Sequence, residues 1–217
     1  MGKKALFIIC LSFFVLLVGC NSTKTTDDAS SAKSKETVSE KKQKETKEEQ
    51  KNESYKDEET GELYNFIKSQ EQIEPQKMGP LNINFESVSL YKLTEIPEDR
   101  LSDYQSLTDI ELTNPFHFID VKFSVENTDK ETINFSGISH LILDTKEQIK
   151  VSNNNLYTDM DQYDMKLFGK AKREYQIAVP IESDVSKIKS VRIVMSEPFD
   201  ENLDSVSESK EITVNLK

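Results

Sequence analysis

Apolar and polar residues alternate along much of the chain after residue 78, and this period of two restricts the fold more than any other feature. Successive side chains of a β-strand point to opposite faces of a sheet, so strict alternation predicts a half-buried strand. In the clearest example, polar residues separate Ile119, Val121, Phe123 and Val125. The same alternation recurs in three further segments, 175–179, 191–195 and 212–216.

A change of phase near the start of this region predicts a β-bulge or a bend between two sheets. Leu81, Ile83 and Phe85 share one phase, whereas Val88 and Leu90 share the other. One extra residue between Phe85 and Val88 would shift the phase in this way.

Shorter segments complete the expected architecture. Weaker strand patterns occupy 132–136, 140–143 and 148–151, with polar turns between them. About eight short strands joined by polar turns indicate an all-β fold, an antiparallel β-sandwich over residues 78–217.

Proline signals add two details to this fold. Pro180 is expected to end the strand over 175–179, because proline cannot donate a ladder hydrogen bond. Pro97 is expected to begin one short helix whose buried face carries Leu101, Tyr104 and Leu107.

The first nineteen residues are predicted to be a signal peptide. Lys3 and Lys4 precede an apolar run over 5–18, which as a helix would span about 21 Å against the roughly 30 Å of a bilayer core. This length is typical of the apolar region of a signal peptide.

The residues at the end of that run resemble the bacterial lipobox. They read Leu17-Val18-Gly19-Cys20, and the resemblance implies cleavage between Gly19 and Cys20 with a diacylglyceryl group on the Cys20 sulfur. The expected location is therefore the extracytoplasmic face of the cell membrane, with the lipid at Cys20 as the membrane contact. The alternative is an ordinary secretory signal.

Residues 20–62 are predicted to be a disordered, charged tether. Between 21 and 62 only four residues are hydrophobic, namely Ala29, Ala32, Val38 and Tyr55. Such a segment buries too little apolar surface to offset the entropy of ordering. Residues 63–77 contain more apolar residues and are predicted to be a short helical or irregular connector.

Three runs of this chain carry a family resemblance, namely 78–83, 121–128, and Gly169 followed by 175–180. Together they resemble the immunoglobulin-like domain of Gram-positive lipoproteins of unknown function, a group related to telokin-like and mycobacterial immunoprotective-antigen domains. The resemblance covers 78–217 and implies an immunoglobulin-like sandwich outside the cytoplasm. It carries over no catalytic residues and leaves the activity open. The Cys…Trp…Cys core of antibody domains is absent, since the chain has no Trp.

The charge balance argues against a nucleic-acid partner. The chain has 28 Lys and Arg against 39 Asp and Glu, a formal charge of −11, whereas phosphate binding needs clustered basic residues. The two cysteines, Cys10 and Cys20, are too few for a disulfide framework or a cysteine-based zinc site.

No set of residues predicts catalysis or a bound cofactor. The two histidines are His117 and His140, and although Ser139 precedes His140, strand neighbours are expected to point to opposite faces. We therefore expect a non-enzymatic protein without catalytic residues.

One acidic loop is a weak candidate for a cation site. Asp159 and Asp161 lie where a calcium loop places carboxylates, but Asp164 stands where that loop has a glycine, and Tyr163 and Lys170 stand where further ligands are needed. The alternative is a solvated acidic loop, and no other metal site is predicted.

The same loop is a candidate interaction surface. About twenty residues separate the strands near 151 and 172, which is long for a compact domain. Aromatic and Met residues on such a loop can anchor a partner, or they can cover an open end of the sandwich. The residues concerned are Tyr157, Met160, Tyr163, Met165 and Phe168. The insertion over 93–115 is expected to border this surface.

Together these observations predict a membrane-anchored, extracytoplasmic lipoprotein that displays a non-catalytic binding or accessory domain. The expected ligand is a protein or a cell-wall component. One alternative is a lipoprotein that binds cations or small solutes through its acidic loops. A second is an enzyme that acts on cell-wall polymers. The sequence leaves the oligomeric state open.

Overall fold

The computed structural model describes residues 54–157 and 165–217, and β-strands dominate this part of the chain. The strands are β1 (Ser54–Lys56), β2 (Leu63–Glu71), β3 (Gln76–Met78), β4 (Leu81–Thr94), β5 (Phe116–Asn127), β6 (Ile133–Asn134), β7 (Ile138–Leu143), β8 (Gln148–Lys150), β9 (Lys166–Leu167), β10 (Lys172–Ile181), β11 (Ser190–Met195) and β12 (Lys210–Asn215). Helix α1 (Glu98–Gln105) lies between β4 and β5, and a 3-10 turn, Val151–Asn153, follows β8.

The strands form two main sheets in which every pairing is antiparallel. The larger sheet has the order β1-β2-β4-β5-β10, with β3 beside the start of β4. The smaller sheet has the order β12-β11-β7-β8, and β6 pairs with β9 separately. Side chains from both sheets, such as Ile83, Val121, Leu141 and Ile193, belong to one fully buried core cluster. The predicted all-β antiparallel sandwich is confirmed.

The alternating pattern correctly identified the central strand and its neighbour. Ile119, Val121 and Val125 on β5 are fully buried in the core cluster. The pairing of β4 with β5 shifts register between Phe85 and Ser87, which confirms the predicted bulge.

Residues 63–77 form strands, so the predicted helical or irregular connector is wrong. The segment contains β2, which pairs with β4 along most of its length, and the start of β3. Residues of β2 from Leu63 to Gln70 are half-buried, so no fully apolar face alternates with a fully polar one. The alternation of apolar and polar residues is therefore missing from β2, although its pairing with β4 makes it a strand.

The folded domain begins before the predicted end of the tether at residue 62. Strand β1 pairs with β2, and Glu62 is fully buried. The rest of the predicted tether, the signal peptide and Cys20 lie outside the described residues.

Pro180 does not end its strand, contrary to the prediction. Strand β10 continues to Ile181, and Pro180 lies opposite Phe118. Because β10 is an edge strand of its sheet, proline can occupy it with its missing donor away from β5.

The predicted short helix is present as α1. Pro97 precedes its first residue, Tyr104 is buried, and Leu101 and Leu107 pack beside it. The helix has eight residues, and none of the helices in the described ranges is long and apolar enough to cross a membrane.

Candidate functional site

The outer face of the larger sheet carries a second hydrophobic cluster. On β5, Phe116 and Phe118 alternate with the core residues and therefore lie on the opposite side of the sheet. Leu93 of β4 and Ala178 of β10 extend this cluster, and Tyr104 of α1 packs on it. The segment between β4 and β5 thus covers part of a sheet face that would otherwise meet water.

The uncovered part of this face forms a concave groove, which we call the aromatic groove. It consists of one cavity of about 470 Å³ beside α1 and one of about 420 Å³ around Asp120. Tyr64, Phe118 and Tyr157 line both cavities, so the two are adjacent.

Strand pairing sets the row of rings in the aromatic groove. Tyr91 lies directly opposite Phe118 across the β4–β5 pair, and their rings stack with centroids 5.4 Å apart. The Tyr64 ring meets Phe118 edge-on at 6.3 Å. Tyr55, opposite Tyr64 on β1, places its ring 6.2 Å further along and is 65% exposed. Four neighbouring strands therefore supply a continuous aromatic surface.

A buried carboxylate lies in the middle of this surface. Asp120 is only 4% exposed, and its Oδ1 accepts hydrogen bonds from Gln176 Nε2 at 2.7 Å and the Tyr157 hydroxyl at 3.4 Å. Its second oxygen, Oδ2, has no hydrogen-bond partner among residues 54–157 and 165–217. Burial raises the pKa of Asp120, although Gln176 and Lys122 oppose the shift.

The tyrosines around Asp120 stay protonated at neutral pH. Burial, followed by the charge of Asp120, raises the pKa of both Tyr91 and Tyr157. Their hydroxyl groups therefore remain donors, and the negative charge of this part of the groove belongs to carboxylates.

The other end of the groove is organised by Glu62. Its Oε2 accepts hydrogen bonds of 3.1 Å from the hydroxyls of Thr60, Tyr64 and Tyr104. Burial raises the pKa of both tyrosines and Glu62 adds to the shift, so both hydroxyls keep the proton they donate. Glu62 therefore fixes two rings that line the groove.

Arg100 on α1 completes this network. Its Nε donates to Glu62 Oε1 at 3.4 Å, and its Nη2 donates to the Tyr104 hydroxyl at 2.9 Å. The guanidinium also lies 4.9 Å from the centre of the Tyr104 ring, a cation–π contact. Arg100 thus connects α1 to the chain segment before β2, and Glu62 already compensates its charge.

The structure separates the residues of the predicted interaction loop. Tyr157 lines the aromatic groove together with Arg100 and Tyr104 of the 93–115 insertion, so this insertion borders one residue of the predicted surface. Met165, half exposed, lines a different cavity of about 340 Å³, and Phe168 is 60% exposed. Four further candidates lie outside the described residues: Asp159, Met160, Asp161 and Tyr163. Asp164 also lies outside them.

The expectation that Ser139 and His140 point apart is wrong. The Ser139 hydroxyl lies 3.2 Å from His140 Nδ1, near the point where the pairing of β7 with β11 shifts register at Val194. Strict alternation fails at such a shift. Ser139 donates its proton to the Val194 carbonyl at 3.1 Å, and no carboxylate in the described residues bonds His140.

No cluster in the described ranges has the three or more His, Cys, Asp or Glu residues needed to hold a metal ion. The weak calcium candidate cannot be placed in the fold, because all three of its aspartates fall outside those ranges.

Several groove residues escaped the sequence analysis. Glu62 and Tyr64 lie in segments that were predicted to be tether and connector, and Asp120 was assigned only to the polar face of its strand. One signal was present: Tyr91 and Phe118 are aromatic residues on the strand face that alternation predicts to be polar. Such residues indicate that another segment covers that face, or that a ligand does.

Comparison with known proteins leaves the function open. No protein-family model matches the sequence, and no curated protein matches it. A solved structure of a functionally unknown protein from Listeria monocytogenes EGD-e is similar over 69% of this chain and 84% of that chain, with a TM-score of 0.47 and 11% sequence identity.

Proposed function

We propose that the protein is an extracytoplasmic lipoprotein, anchored through Cys20, that presents a non-catalytic binding domain. The aromatic groove is its ligand site, and the observation that carries this proposal is the open row of rings around the under-compensated carboxylate of Asp120. The lipobox motif at 17–20 supports the anchor.

The groove has the features of a binding site for a small ligand or an exposed chemical group. Ligand sites are concave, largely apolar or aromatic, and contain a few fixed polar groups that orient the ligand. Here Phe118 and Leu93 supply an apolar floor, while Asp120 and Gln176 supply the polar groups. The networks around Glu62 and Asp120 hold the lining side chains in place, which lowers the entropy cost of binding.

The position of β1 connects the proposed anchor with the groove. Strand β1 begins at Ser54, 34 residues after Cys20, and its Tyr55 lines the groove. The segment that would join the lipid to the domain therefore enters the domain at its ligand site.

Replacing Cys20 by alanine should abolish lipid attachment. Cells grown with an alkyne fatty acid should incorporate the label into the wild-type protein, because a diacylglyceryl group on the Cys20 sulfur carries two acyl chains. The Cys10→Ala variant should be labelled like the wild type, since Cys10 lies within the predicted signal peptide. Label on the Cys20→Ala protein, or no label on the wild type, would contradict the anchor.

A further inference from the structure

We propose that the Asp120 end of the aromatic groove binds an organic ammonium group, with the carboxylate as its counter-ion and the surrounding rings as its cage. This inference rests on the proposed function, because it assigns a ligand class to the same groove. It follows from the incomplete pairing of the Asp120 carboxylate, the aromatic rings of the cavity wall and the excess of negative charge around the cavity.

The first argument is the incomplete pairing of Asp120. Asp120 is 96% buried and its Oδ2 has no partner in the described part of the chain, yet this oxygen is not fully enclosed by protein, so a ligand in the cavity can reach it. Lys122 is close enough to lower the pKa of Asp120 but forms no ion pair with it within the described residues. Arg100 is engaged by Glu62. A cation from outside the chain would complete the pairing.

The second argument is the chemistry of the cavity wall. Tyr55, Tyr64, Tyr91, Phe118 and Tyr157 all line the cavity that contains Asp120. Aromatic faces attract cations, and the gain is largest for cations that shed water easily, such as alkylated ammonium ions. A hard metal ion needs six or more oxygen ligands, which this wall of rings does not offer.

The third argument is the field in and around the cavity. Asp57 also lines it, and hydrogen bonds from the backbone N–H groups of Thr60 and Glu59 lower the pKa of Asp57, so this carboxylate stays charged. Among the described residues of the lining, Lys122 is the one cation, against two carboxylates. Residues 63–217 carry 17 Lys and Arg against 27 Asp and Glu, and an excess of this sign raises the local concentration of cations. A neutral ligand such as a sugar would leave the negative charge of Asp120 without a counter-ion.

Calorimetric titration of the purified full-length protein tests the inference with choline chloride as the probe. The matched control ligand is 3,3-dimethyl-1-butanol, which has the same shape but no charge. Choline should bind at least about tenfold more tightly than the alcohol, because the cation–π and ionic contributions are absent from the alcohol. Equal affinities, or no choline binding, would overturn the inference.

Variants separate a ligand role of Asp120 from a structural one. Asp120→Asn should weaken choline binding by about tenfold or more, whereas Glu126→Gln, which removes a charge from an exposed position of β5, should change it less than about twofold. Because burial raises the pKa of Asp120, its charge lowers stability above that pKa, so Asp120→Asn should unfold at pH 7 no more easily than the wild type. Lost stability with unchanged choline affinity would show that Asp120 is structural only.

A ring variant provides a second, independent test. Tyr91→Leu should weaken choline binding by about fivefold, while Tyr91→Phe, which keeps the ring, should bind within about twofold of the wild type. Equal losses of choline affinity in both variants would contradict a role of the aromatic ring in binding the ammonium group.

Phosphatidylcholine vesicles distinguish the two sources of the ammonium group. Because the lipid proposed at Cys20 would itself insert into any vesicle, the wild type is compared with Asp120→Asn, which keeps that lipid. Vesicle binding that Asp120→Asn weakens identifies a lipid headgroup, and choline binding with no effect of Asp120→Asn on vesicle binding identifies a free solute. If neither result is obtained while the alkyne fatty acid still labels Cys20, the ammonium inference fails and the anchor of the proposed function stands.

Discussion

Replacing Glu62 by alanine should lower the free energy of unfolding by about 3 kcal/mol, because three hydroxyl donors and one guanidinium lose their common acceptor. Glu62 is fully buried and accepts from Thr60, Tyr64 and Tyr104, while Arg100 donates to its other oxygen. In the variant, Arg100 would still donate a hydrogen bond to the Tyr104 hydroxyl. The proton of that hydroxyl, however, would have no acceptor in the space left by the Glu62 side chain. Urea unfolding at pH 7 measures the loss.

The matched control for this change is Glu58→Ala. Glu58 lies four residues earlier, is exposed and has the same side chain, so its removal should change the unfolding free energy by less than about 0.5 kcal/mol. Equal effects of the two substitutions would mean that the segment before β2 contributes little to the folded domain.

Replacing Gly169 by alanine should lower the free energy of unfolding by about 3 kcal/mol or more, since the new methyl group has no room. A β-carbon at position 169 would lie 2.0 Å from the Lys130 carbonyl oxygen and 2.8 Å from the Lys130 Cα. These are backbone atoms, and the adjacent pairing of Lys170 N–H with the Asp129 carbonyl prevents them from moving away. The loop after β9 and the turn after β5 would have to separate.

Gly61→Ala provides the control for the glycine substitution. Gly61 has a positive φ of 79° but open space where a β-carbon would lie. Alanine at this position should therefore lower the free energy of unfolding by only about 1 kcal/mol, because a residue with a β-carbon disfavours a positive φ. Urea unfolding of both variants measures the difference. A loss at Gly169 no larger than at Gly61 would contradict the close approach to Lys130.

The sequence predicts the centre of this fold well because each central strand has one face that points into the core and one face that points away from it. Ile119 and Val121 alternate with polar residues for this reason, and the bulge at Phe85 follows from the same rule. The rule fails for β2, where both faces are half-buried, and for β1, whose three residues contain one apolar side chain, Tyr55. Pairing with β4, a strand that follows β3 in the chain, determines β2, and pairing with β2 across a short connection determines β1.

The groove depends on long-range contacts that no local pattern contains. Glu62 is one acid in a strongly charged run, and its partner Arg100 lies 38 residues away. Asp120 occupies a position that alternation predicts to be exposed, and it is buried because Gln176 and the segment containing Tyr157 close over it. The aromatic residues Tyr91 and Phe118 on the same face were the available indication.

Site-specific crosslinking on intact cells tests the central claim, that the aromatic groove is the ligand site of an anchored binding domain. Benzoylphenylalanine at position 55, on the groove rim, should give a crosslinked adduct after irradiation. The same residue at position 203, where Leu203 is 76% exposed and lines neither cavity of the groove, should give none. Equal adducts from both positions, or none from position 55, would contradict the account.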